Sequence, residues 1–173
     1  MTVKNSARVP SENDEARALH QWLKLNGYPH THIMNESGAG VRNMKRTQLG
    51  KAMGVSPGYP DYMIYTPAGV APIELKRQKG GVVSDYQEQW LRTLSKAPYH
   101  YPAVCRGAEA AINYINALVS YHPDSIDDMV RVISKAPGVT AYYNGRELRS
   151  RRGGGVEFRC YNDAGWVEYR PAR

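Results

Sequence analysis

Apolar residues follow two rhythms along the chain, and each rhythm predicts its own elements. Behind Ser11, a residue suited to an N-cap, Ala16, Leu19 and Trp22 or Leu23 recur at helical spacing. Leu25 extends the stripe, Gly27 stops it, and Glu12, Asp14 and Glu15 occupy the first turn, where a helix dipole favours acids. The run 30–36 then reads as a strand. Two β-prone runs follow at 62–66 and 70–76, with Pro67, Ala68 and Gly69 between them, and predict a tight hairpin. Ser84 opens a helix to about 96 that turns Trp90, Leu91 and Leu94 inward, and 101–106 is another strand. From Gly107 a helix runs through Ala110, Ala111, Ile112, Tyr114, Ile115 and Leu118. Helix, three strands, helix, strand, helix is an α/β order that asks for a mixed sheet flanked by helices.

Tyr121-His122-Pro123 then breaks the pattern. A short helix to about 135 turns Ile126, Met129, Val130 and Ile133 inward, and two hairpins follow, around Asn144-Gly145 and Asp163-Ala164-Gly165. This divides the chain into residues 1–120, with the α/β core, and residues 121–173, a small basic α+β appendage. A chain of 173 residues is long enough for one sizeable core with such an addition.

Charge narrows the partners. The net charge of +7 and pI near 9.4 favour an anionic partner, nucleic acid first. Neither a membrane span nor a signal-peptide core is expected, which suggests a cytoplasmic protein of a bacterium or phage-infected host cell. Cys105 and Cys160 lie far apart in no Cys-x-x-Cys pattern, so thiols are expected rather than a disulfide framework or zinc site. His30 and His32 share a strand face but have no third soft ligand nearby.

The basic residues fall into three groups. Arg42, Lys45, Arg46 and Lys51 flank a short predicted helix within 38–58 that carries Met44, Leu49 and Met53 inward. Arg77 and Lys79 lie in a glycine-rich loop after the hairpin. Arg146, Arg149, Arg151 and Arg152 lead into Gly153, Gly154 and Gly155 and read as a mobile cationic loop between hairpins. All three groups suit phosphate contacts, with Tyr142, Tyr143, Phe158 or Trp166 available for stacking on bases or for packing their own core.

The hairpin carries the chemistry. Asp61 stands at the mouth of its first strand, while Glu74 and Lys76, two apart on the second, share a face. Two carboxylates with the Leu75 carbonyl make a partial oxygen cage suited to Mg²⁺ or Mn²⁺, and a lysine beside it can act on a phosphodiester. A turn-capping aspartate and a surface ion pair would present the same residues.

Pro60-Asp61 followed by Glu74-Leu75-Lys76 resembles the Pro-Asp…(Asp/Glu)-x-Lys signature of the restriction-endonuclease-like superfamily. The words Gly54-Val55-Ser56-Pro57-Gly58-Tyr59-Pro60-Asp61, the run from Ile73 to Gly81, and Gln87 in Ser84-Asp85-Tyr86-Gln87 are similar to the VRR-NUC nucleases, especially small stand-alone phage and bacterial ones. The resemblance implies a restriction-endonuclease-like core and a Mg²⁺- or Mn²⁺-dependent endodeoxyribonuclease. Asp61, Glu74 and Leu75 would be its metal ligands, Lys76 would position or deprotonate water, and Gln87 would stand at the active-site edge. It also implies a helix acid in the cluster, with Glu12 the best match and Glu15 or Glu36 as substitutes, and branched DNA such as Holliday junctions cut by a homodimer.

Two alternatives stay open in the residues themselves. Glu12 sits where an acid simply complements a helix dipole, and Ser84 with Gln87 has capping-box spacing. A non-catalytic DNA-binding accessory protein on a nuclease scaffold would use the same basic surface.

Overall fold

The computed structural model describes residues 9–33, 56–151, 155–160 and 165–170. The strand expected over 30–36 therefore reaches the described residues only in part. Glu36, the predicted helix within 38–58 with Arg42, Lys45, Arg46 and Lys51, and Arg152 lie outside them.

Helix α1 (Glu12–Leu25) starts where Ser11 and Asp14 cap each other reciprocally. Its inward stripe is Glu15, Leu19 and Leu23; Trp22 is half-buried, and Leu25, expected in that stripe, is 86% exposed. Leu25 follows two residues after Leu23, half a helical turn away, so it faces outward. Strand β1 is His30–His32, and the hairpin strands are β2 (Tyr62–Thr66) and β3 (Gly69–Lys76). Helix α2 (Asp85–Leu94) crosses from β3 to β4 (Ala103–Arg106). Helices α3 (Ala108–Tyr121) and α4 (Ile126–Ser134) follow, then β5 (Val139–Tyr143), β6 (Arg146–Ser150), β7 (Val156–Arg159) and β8 (Val167–Glu168). Among the described residues no helix is long and apolar enough to cross a membrane.

The eight strands form one sheet in sequence order. Only β3 and β4 pair in parallel, because α2 carries the chain back to the starting end; every other neighbour is antiparallel. The mixed sheet flanked by helices is the architecture expected for a restriction-endonuclease-like core. The segment from Tyr121 onward adds to it differently from a separate appendage. Val139 and Ala141 of β5 pair with Cys105 and Ala103 of β4, and Met129, Ile133 and Leu148 join the same apolar core as Leu19 and Ile73.

Strand period decides how the two faces differ. Ile73, Leu75, Ala103, Cys105, Val139, Ala141 and Leu148 point to one side, into a core closed by α1, α3 and α4. Glu74, Lys76, Val104, Tyr142, Glu147, Arg149, Glu157 and Arg159 alternate with them on the other side. Among the described residues that face holds a small apolar cluster, Leu91, Val104 and Tyr142 with Val83 against it. Thus α2 lies over charge. Its buried side is Leu91 and Arg92, with Trp90 and Leu94 half-buried instead of forming the predicted stripe. Trp90 meets Tyr59 edge-on at 5.0 Å.

The described part of the cationic segment between the hairpins begins as a strand, Arg146–Ser150. Arg146 and Arg149 belong to β6, paired with β5 on one side and β7 on the other. Asn144 and Gly145, with φ of 49° and 78°, make the predicted turn, since both positions need the left-handed conformation that Gly and Asn tolerate. The aromatics pack locally. Tyr142 is buried, Tyr143 donates to the Asp124 carbonyl, Phe158 meets Tyr169, and Trp166 lies under the Arg149 guanidinium at 3.8 Å.

Candidate active site

The site forms at the C-terminal end of β3, where the N-termini of α1 and α2 approach from opposite faces. Asp61 precedes β2, and the Tyr62–Ile73 register sets it across from Glu74. Its Oδ2 accepts the Leu75 backbone N–H at 2.9 Å, which ties the acid to the strand that carries its partner. An extended residue turns its N–H and C=O to the same side, so the Leu75 carbonyl shares the edge that faces Asp61.

Glu74 is 1% exposed, and its Oε1 receives two donors. Lys76 Nζ lies 2.7 Å away, and Gln87 Nε2 donates at 2.5 Å. Oε2 is buried without a hydrogen-bond partner. A buried carboxylate oxygen lacking a donor is costly, and one lysine is shared here between two acids. The result is visible in the acidities. Burial and the neighbouring Asp61 charge raise the Glu74 carboxyl to about 7 against the pull of Lys76. Asp61 is raised by burial as well, opposed by the Leu75 N–H, Lys76 and His32, while Glu12 adds to the rise. The pair is short of positive charge.

Gln87 fills both of its expected positions at once. Its Oε1 accepts the Ser84 backbone N–H at 2.9 Å, and its backbone N–H reaches Ser84 Oγ at 3.4 Å, a reciprocal capping box. A backbone N–H can only donate, so the amide oxygen must face Ser84, and the NH₂ is thereby aimed at Glu74. The cap orients the contact.

The two first-turn acids of α1 separate clearly. Glu12 Oε1 accepts the Arg77 backbone N–H at 3.4 Å, on the rim of the acid pair. Glu15 is buried and fully engaged elsewhere: Gln78 Nε2 donates to it at 2.9 Å and the Ala108 N–H at 2.7 Å. It caps the start of α3, whose N-cap, Gly107, has no side chain to do so. Gly107 itself is required there, at φ 96° with Gln78 Cγ 3.0 Å from where a Cβ would sit. Glu15 therefore has a packing task that leaves it unsuited as a substitute ligand. Sequence spacing could not show this, because the groups it caps come from distant segments.

Of the remaining candidates, Arg77 and Lys79 border an open cleft of about 660 Å³ beside Glu12, with Val9, Pro10 and Val82 on its other walls. Arg149 and Arg151 lie elsewhere on the sheet and have carboxylate partners in Glu157 and Glu168. His30 bonds to His20 at 2.8 Å, and His32 stacks on Tyr62 at 4.5 Å. Among the described residues no three His, Cys, Asp or Glu side chains form a metal cluster by themselves. A cation here would rest on Asp61 and Glu74 with backbone and water oxygens. The donor set fits one: two hard carboxylates, an orphaned buried oxygen, and acidities that a nearby positive charge would relieve.

No family model matches the chain, and no curated protein does. A solved structure titled "VRR_NUC domain protein" is similar at 21% identity, over 65% of this chain and 91% of that one, with a TM-score of 0.48.

Proposed function

We propose that this protein is a divalent-metal-dependent DNA endonuclease. The observation that carries the reading is the pairing of half-buried Asp61 with buried Glu74, with its unpartnered Glu74 oxygen and, among the described residues, a single lysine. Asp61, Glu74 and the Leu75 carbonyl would hold a Mg²⁺ or Mn²⁺ ion, with Glu12 contributing from the rim. When bound, such an ion supplies positive charge against the phosphodiester oxygens and makes water a better nucleophile at neutral pH.

The chain's own residues do the rest. Gln87 keeps Glu74 oriented. Lys76, 13% exposed and held by Glu74 Oε1, is placed to hydrogen-bond the attacking water and to offset negative charge growing on the phosphate. Arg77 and Lys79 would take phosphates flanking the cut without reading bases. Branched DNA such as a four-way junction is the substrate that the sequence resemblance implies, and a twofold-symmetric dimer would match its symmetry.

The test incubates the protein with supercoiled, linear and four-way-junction DNA in Mg²⁺, Mn²⁺ or EDTA, beside Lys76→Ala. Cleavage that needs the ion and the lysine is expected. Tight binding with no cleavage in either ion would make the protein a DNA-binding accessory instead. Equal cutting of all three DNAs would remove the junction preference and leave the nuclease intact.

A further inference from the structure

We propose that the C-terminal segment, residues 121–173, positions Glu74 from a distance, through α2 and Gln87, with Glu147, Arg159 and the Asn144-Gly145 turn as its working parts; this rests on the reading of Glu74 as the cation's ligand. The two ends of α2 are held in different ways. Its N-terminal turn reaches the sheet through the Gln87–Glu74 bond. Its C-terminal half is fastened to the added strands. Arg92 Nη1 donates to the Gly145 carbonyl at 2.6 Å, and Nη2 contacts Glu88 at 2.8 Å and also Glu147. Arg159 Nη2 closes the group, at 3.0 and 2.9 Å from the two Glu147 oxygens. Ser95 adds two bonds to the turn, one from Gly145 N–H to its Oγ at 2.9 Å and one from Asn144 N–H to its carbonyl at 3.1 Å.

Among the described residues the apolar cluster under α2 is small, Leu91, Val104 and Tyr142 with Val83 against it, and Tyr59 meets Trp90 beside it. The polar bonds therefore carry much of what fixes the slide and rotation of the helix, and most of them come from the Asn144-Gly145 turn and from Glu147 of β6. Gln87 and Glu88 are adjacent in the chain, so a shift at the Glu88–Arg92–Glu147 group displaces the amide that holds Glu74. Misplacement of about 1 Å at a reacting group costs on the order of a hundredfold in rate. On this reading Arg92, Glu147 and Ser95 are positioning residues, and the added strands are part of the active site's frame.

The experiment follows the Gln87 side-chain amide by NMR in the full ¹⁵N-labelled chain, assigned by its loss in Gln87→Ala. In Glu147→Gln the signal should move toward that of a solvated glutamine and exchange with water at least tenfold faster, while α1 backbone signals stay in place. An unchanged Gln87 amide would overturn the proposal. Should Glu147→Gln fail to fold, Ser95→Ala removes one bond to the turn and should give a smaller change in the same direction; a folded Ser95→Ala protein with an unmoved Gln87 amide overturns it equally. A cleavage arm asks about the route. Glu147→Gln should lower kcat at least tenfold with little change in KM, and should add nothing to Gln87→Ala; multiplied losses would place its effect outside Gln87. If the wild-type protein cuts no DNA, the nuclease reading fails while the amide measurement still decides the positioning.

Discussion

Two groups of charge, each centred on a buried glutamate, share one face of the sheet, and they are built in opposite ways. Around Glu147, two acids meet two arginines: Glu88 and Glu147 face Arg92 and Arg159. Around Glu74, two acids meet one lysine. The first group leaves over a donor, the buried Arg159 Nε, and the second an acceptor, Glu74 Oε2. Burial raises the Glu147 carboxyl while Arg159 and Arg92 pull it down, whereas at Glu74 burial and Asp61 push together. A group that balances its own charge is architecture. One with more acids than bases among the described residues suits the cation that the proposed function calls for.

The contrast predicts substitutions with crossed effects. Asp61→Asn and Glu74→Gln should each cut cleavage on the order of a thousandfold or more, the rate equivalent of several kcal/mol of lost charge stabilisation. They should leave thermal stability equal or improved, because each relieves repulsion between acids. Glu147→Gln should do the reverse to stability, costing about 3 to 5 kcal/mol by stranding arginines beside it. Paired melting curves and cleavage rates check this. A marked loss of stability in Glu74→Gln would mean that the two groups are alike.

Acidity offers the next contrast. The Glu74 carboxyl stands at about 7 in the folded protein against an ordinary value of 4.5. Between those pH values the folded chain holds a proton that the unfolded chain has lost, so stability should fall as pH rises through this window and level off above 7. The loss is at most on the order of 3 kcal/mol. A cation would recover it, but only where Glu74 is ionised. Melting temperature should therefore rise with Mg²⁺ or Mn²⁺ at pH 8 and hardly at pH 5. Equal shifts at both pH values would place ion binding away from Glu74.

Gln87 touches Glu74 and caps α2, and two substitutions separate these tasks. Gln87→Ala loses both, and should cost about 0.5 to 2 kcal/mol of stability together with turnover. Gln87→Glu keeps a capping-box acceptor for the Ser84 N–H but sets a carboxylate against Glu74. It should melt near the wild-type temperature and cut at least tenfold more slowly. Full activity in Gln87→Glu would reduce Gln87 to a cap.

What could be read from the sequence follows the same division. Local rules placed the hairpin, the Ser11 N-cap, the Ser84–Gln87 capping box and the Asn144-Gly145 turn, since each is decided within a few residues. The Asp61–Glu74–Lys76 grouping was legible because strand alternation fixes which side chains share a face. Arg92 was not: a charged residue beside Trp90 and Leu91 reads as solvated until its partners, Glu147 and the Gly145 carbonyl, arrive from more than fifty residues away. The same holds for Glu15, whose Ala108 partner is more remote still. The arginines from Arg146 to Arg151 read as a loop because nothing nearby announces that β6 will find β5 and β7 on its two sides. The acids of Arg149 and Arg151, Glu157 and Glu168, lie on β7 and β8, one and two strands further on.

Those arginines give the smallest effect. Each phosphate contact contributes about 0.9 to the slope of log affinity against log salt. Arg77 and Lys79 are exposed beside the acid pair, and among the described residues neither has a carboxylate within ion-pair distance, so both are free to take phosphates. Arg149 is engaged by Glu157 at 3.0 Å and covers Trp166, and Arg151 lies 3.6 Å from Glu168. To reach DNA they must give up these partners, which cancels part of the gain. With Lys76→Ala protein in a salt titration, replacing Arg77 and Lys79 by alanine should flatten the slope by about two units, and replacing Arg149 and Arg151 by less than about one. Equal flattening would mean that the C-terminal arginines trade carboxylates for phosphates on binding. The added strands would then grip the substrate as well as brace α2.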